Sequence, residues 1–96
     1  MAAKHSLAAA LRTVRKARGL SQEAFSDVSS RTYLSVLERD LKSPTLSKLG
    51  DICEVLNVHP VTLLVLAYSD GSREGEQTVL TQVLEELREL RRSPDA

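Results

Sequence analysis

Ninety-six residues make one domain with at most a small appendage, and 42% hydrophobic against 3% aromatic content makes its core aliphatic. A single cysteine, Cys53, excludes an intrachain disulfide framework, and no apolar run approaches the roughly 20 residues of a membrane span. The formal charge is zero but segregated: residues 1–42 carry eight basic against four acidic residues, a net +4, and residues 43–96 carry five against nine, a net −4.

From Ser6 to Arg18 the apolar residues Leu7, Ala10, Leu11 and Val14 recur at helical spacing, and Gly19 stands where a left-handed cap is wanted. The apolar stretch there is too short, and the basic residues after it too many, for a signal peptide. A cytoplasmic, nucleoid-associated protein is the expectation. Ser21 is suited to cap a second helix, Gln22 to about Val28, burying Phe25 together with Ala24 and Val28. Ser30 is suited to cap a third, Arg31 to about Asp40, with Leu34 and Leu37 inward and Leu41 joining them. Pro44 holds the residue before it out of helical geometry, so residues 41–44 form a loop.

Thr45 then caps a helix over 46–56 whose inner stripe is Leu46, Leu49, Ile52, Cys53 and Leu56, and Asn57 tolerates the left-handed turn that ends it. His59-Pro60 opens a fifth helix, apolar nearly all round, which requires cover on more than one side. Residues 69–75 read as a linker. Beyond it, residues 76–92 place Leu80, Val83, Leu87 and Leu90 at a and d spacing, with Leu84 widening the seam. Two heptads are too few for an isolated coiled coil, so this helix must pack on the domain or on its twin. The fold class expected is all-α: five helices over 1–68, the linker, and a C-terminal amphipathic helix over 76–96 as a dimerisation element.

The stretch from Ser21 to Pro44 carries the functional signal. It reads as a short helix, a tight polar turn, and a second helix whose exposed side is small, polar and basic. Two helices in that relation lay the second into a DNA major groove while the first braces it.

At LRTVRKARGLSQEAF, YLSVLERDLKSPTLSKL and LNVHPVTLL the chain resembles the DNA-binding domain of Cro and C1 repressors, the xenobiotic-response-element family of helix-turn-helix regulators. The resemblance spans about Leu7 to Leu66 and implies a five-helix lambda-repressor-like domain that binds double-stranded DNA. Two departures stand out. The segment between Phe25 and Arg31 is about two residues shorter than the family pattern and lacks its glycine, and Asp40 stands where glycine is common.

The resemblance implies a phosphate contact from Gln22, which also buttresses the recognition helix, and a second phosphate clamp from Lys42 and Ser43. It also implies a structural ion pair between Arg15 and Glu38. Arg31, Thr32, Ser35, Val36 and Arg39 line the side of the third helix opposite Leu34 and Leu37. Arg31 is suited to a bidentate bond to guanine, Thr32 and Ser35 to base edges or phosphate, Val36 to a thymine methyl, and Arg39 to phosphate. Tyr33 either stacks on the sugar–phosphate backbone or fills a gap beside the second helix. Arg12, Lys16 and Arg18 read as solvated. Cys53 reads as a small core residue.

No nucleophile elbow, phosphate-binding glycine loop or zinc spacing occurs, so no enzyme, cofactor, metal or small-molecule ligand is expected. The expected function is a dimeric repressor on a near-palindromic operator, with Val61, Leu64 and Val65 joining Leu80, Val83, Leu84, Leu87 and Leu90 in the homodimer interface. The alternatives are a small activator, a restriction–modification controller, or a protein-interaction module such as an antitoxin or antirepressor.

Overall fold

The computed structural model describes residues 6–28 and 30–92. Among them are five α-helices and no strand: α1 Leu7–Ala17, α2 Arg31–Glu38, α3 Leu46–Leu56, α4 Pro60–Tyr68 and α5 Arg73–Arg92, with a 3-10 turn at Gln22–Phe25 between α1 and α2. Each α-helix begins on a side-chain cap. The hydroxyls of Ser6, Ser30, Thr45 and Ser72 accept from the N–H groups of Ala9, Tyr33, Lys48 and Gly75. His59 caps α4 in their place, its Nδ1 accepting from the Val61 N–H at 3.0 Å, with Pro60 at the first helical position. These caps satisfy donors that a helix start leaves unpaired.

The helix ends are equally local in origin. Gly19 adopts φ +69° after α1, and Asn57 adopts φ +57° after α3, where its short polar side chain tolerates the left-handed turn. One aliphatic core results, made of Ala10, Leu11 and Val14 from α1, Phe25, Leu34 and Leu37 from the 3-10 turn and α2, and Leu49, Ile52, Cys53, Leu56, Leu63 and Ala67 from α3 and α4. α4 packs chiefly against α1, and α5 lies against α4 without burying any residue of its own.

Six expectations are corrected. The second element is a 3-10 turn that ends at Phe25, followed by a turn through Val28, rather than a helix to Val28. Three residues per turn leave Phe25 as the residue of this element that faces inward, and Ala24 is exposed. α2 stops at Glu38, because Asp40 turns left-handed at φ +62°. That turn swings Leu41 out to 63% exposure, away from the core it was expected to join. Leu46 is 79% exposed, because at the first position of α3 no neighbouring element covers it. α5 begins at Arg73, inside the stretch read as a linker.

Candidate nucleic-acid interface

α2 is sorted into two sides by its own sequence. Leu34 and Leu37 are buried, while Thr32 and Arg39 are exposed and Ser35 and Val36 half-buried between them. Tyr33 is half-buried and packs on the edge of the core. The Arg39 Nε donates weakly to the Ser35 carbonyl at 3.4 Å, which keeps the guanidinium along the outer side of the helix. Lys42 and Ser43 are exposed in the loop that follows. Arg31 opens α2, and its side chain lies outside the described residues.

The C-terminal end of α2 is clamped by a carboxylate, Glu38, only 4% exposed. Arg15 of α1 approaches it with two nitrogens, Nε to Oε2 at 2.5 Å and Nη2 to Oε1 at 3.0 Å, and spends Nη1 on the Leu20 carbonyl at 2.8 Å. Gln22 of the 3-10 turn donates its amide to Glu38 Oε1 at 3.1 Å, and Arg12 donates to the Glu38 backbone carbonyl at 2.7 Å. A carboxylate removed from water is tolerable only when its lone pairs are occupied in this way. The hydrogen bonds to Glu38 raise the Arg15 pKa above its ordinary value against the lowering effect of burial, so the guanidinium stays charged. α1, the 3-10 turn and α2 are thereby fastened at one carboxyl group.

Two further contacts escape a reading of the sequence. Arg12 was expected to be solvated and instead holds α2. Arg18, read the same way, donates Nε to the Leu56 carbonyl and Nη2 to the Asn57 carbonyl, both at 3.0 Å, closing the end of α3. Those carbonyls are the acceptors a helix C-terminus leaves open. Partners 26 and 38 positions apart carry no local signal. Lys16 remains exposed.

On the other side of the domain, Val61 is exposed and Leu64 and Val65 are half-buried on α4, beside the apolar seam of α5. In that seam Leu80, Val83, Leu84, Leu87 and Leu90 range from 37% to 58% exposed. A groove of about 560 Å³ lies between the two helices, lined by Val61, Val65, Leu66 and Leu80. No single described helix is long and apolar enough to cross a membrane, and no group of three or more potential metal ligands occurs among the described residues. Cys53 is buried in the core, and burial pushes its thiol pKa up.

The model of one helix-turn-helix family matches residues 11–63, more than half of the chain, and spans the clamp and α2 together. The chain belongs to the Cro/C1-type helix-turn-helix family. No curated protein and no solved structure matches it. Family membership makes the chain a DNA-binding transcriptional regulator, with double-stranded DNA as its partner. The matched residues include the 3-10 turn and α2, which stand consecutively in the chain as the two members of a helix-turn-helix. The second half of α4 and all of α5 lie beyond the matched residues.

Proposed function

We propose that the chain is a homodimeric repressor that occupies a near-palindromic operator and acts by covering a promoter. The observation that carries this reading is the free outer side of α2, where Thr32, Ser35 and Arg39 are left by a helix whose far end is locked through Glu38. Arg31 reads guanine, Thr32 and Ser35 meet base edges or phosphate, Val36 touches a thymine methyl, and Tyr33 flanks the backbone. Arg39, Lys42 and Ser43 hold phosphates, which fix register without reading sequence. An amide nitrogen carries two hydrogens, so Gln22 can serve Glu38 with one and a phosphate with the other.

A single unit touches few base pairs, whereas two units on a twofold axis present recognition helices about 34 Å apart, one turn of duplex. The half-exposed apolar residues of α4 and α5 support a dimer built through Val61, Leu64 and Val65 and through Leu80, Val83, Leu84, Leu87 and Leu90. Such a surface is larger in kind than the scattered apolar residues a monomer normally exposes.

The test is recovery of bound genomic fragments, followed by footprinting of the recovered site and a salt series on mixed duplex DNA. Twofold-related protection overlapping a promoter, with affinity falling steeply in salt, is expected. No binding even at low salt would replace this reading with the protein-interaction module.

A further inference from the structure

Lys48 lies in the first turn of α3, and its side chain crosses to the recognition helix. The ammonium donates to the Val28 carbonyl at 2.5 Å and stands 5.9 Å from the centre of the Tyr33 ring. These partners lie on either side of Ser30, the cap of α2. Val28 closes the turn after the 3-10 segment, bonding back to the Phe25 carbonyl, and Tyr33 belongs to the first turn of α2. A lysine ammonium ordinarily stays in water while its stem packs on the protein. Here a half-buried lysine spends its charge on a carbonyl and an aromatic face, which is a geometry with a consequence.

The consequence concerns the end of α2 that meets DNA. The far end is locked through Glu38, whose partners Arg12, Arg15 and Gln22 all come from α1 and the 3-10 turn rather than from α3. The segment entering α2, residues 26–30, contains no glycine. Lys48 reaches from a different helix to that segment and to the first turn of α2 at once. We propose that Lys48 is a specificity-positioning residue, tying the Val28 carbonyl to the Tyr33 ring and so setting where Arg31, Thr32 and Ser35 meet base edges. This rests on α2 entering the major groove.

The role differs physically from a phosphate contact. A lysine on phosphate releases a counterion, weakens all sequences alike when lost, and lowers the salt slope by about one. A lysine that aims a helix does neither. Base contacts are short-range and directional, worth about 1–3 kcal/mol each, whereas phosphate attraction tolerates a small tilt.

The experiment uses the full chain and its Lys48→Met and Lys48→Gln variants, checked by circular dichroism to be folded at the assay temperature. Binding is measured across a salt series on two duplexes, one selected by the unaltered chain from random sequence and one a scrambled version. For K48M, affinity for the selected duplex should fall about tenfold, the loss of one base contact. Affinity for the scrambled duplex should stay within about twofold, at an unchanged salt slope. K48Q keeps an N–H donor without the charge and should fall between K48M and the unaltered chain, so it carries the test if K48M proves too unstable. Equal losses on both duplexes with a shallower slope would make Lys48 a phosphate ligand and overturn the proposal. A preserved ratio with a lower melting temperature would reduce it to stability alone, overturning it also. If the unaltered chain itself fails to distinguish the duplexes, the reading of α2 fails, a separate and recognisable result.

Discussion

Glu38 at the end of α2 receives both Nε and Nη2 of Arg15, 23 residues earlier in the chain, and does so almost wholly out of water. The pair is the joint on which α2 is mounted, because Gln22 and Arg12 reach the same residue from the 3-10 turn and α1. Removing one member strands the other's charge. Arg15→Ala should therefore lower unfolding stability by about 3–5 kcal/mol in urea titration. Replacing both Arg15 and Glu38 with methionine should recover a large part of that loss, since no buried charge is then left alone. Additive losses in the double variant would refute the joint.

Asp40 is the opposite case, a residue retained where its backbone is unfavourable. Its φ of +62° suits glycine, and a side chain there costs about 1–2 kcal/mol, less for Asp than for most residues. Asp40→Gly also loosens the unfolded chain, so the net gain should be about 0.5–1 kcal/mol, seen as a melting temperature several degrees higher. A lower melting temperature would mean that the Asp40 side chain makes a contact worth more than the strain.

Arg31 and Lys42 should separate base reading from phosphate clamping. Arg31→Ala should cost about 1–3 kcal/mol on the preferred duplex and relax its sequence preference. Lys42→Ala should weaken all duplexes alike and reduce the salt slope by about one. An Arg31→Ala variant that selects the same site with the same affinity would remove that residue from recognition.

Truncation after Ser69 removes α5 and should weaken self-association and operator binding together, measured by sedimentation and by gel shift. An unchanged dimer in sedimentation would transfer the whole interface to α4.

Burial of Cys53 gives stability an alkaline limit. Its folded pKa is raised above the ordinary value of about 8.5, so below that pH both states keep the proton and stability does not depend on this group. As pH rises further the unfolded chain ionises first, and stability falls by up to about 1.4 kcal/mol per pH unit until the folded thiol ionises too. Unfolding titrations at pH 8 and pH 10 should show that slope, and Cys53→Ala should abolish it at some cost in packing. A slope that survives in Cys53→Ala would assign it to another group.

Local signals reached far into this chain. Periodicity placed α1, α3, α4 and α5, and Ser30, Thr45, Asn57 and Pro60 marked boundaries, because caps and left-handed turns depend on a few neighbouring atoms. The outer side of α2 was likewise legible, since it is the complement of Leu34 and Leu37. Tertiary packing decided what periodicity could not: that Gln22–Phe25 winds as a 3-10 turn, that Leu41 and Leu46 stay in water, and that Arg12, Arg18 and Lys48 bind carbonyls on distant elements. Those outcomes turn on which surfaces meet after the helices have formed. A long basic side chain looks the same in sequence whether it ends in solvent or on another helix's carbonyl, and only the neighbour's position in space tells them apart.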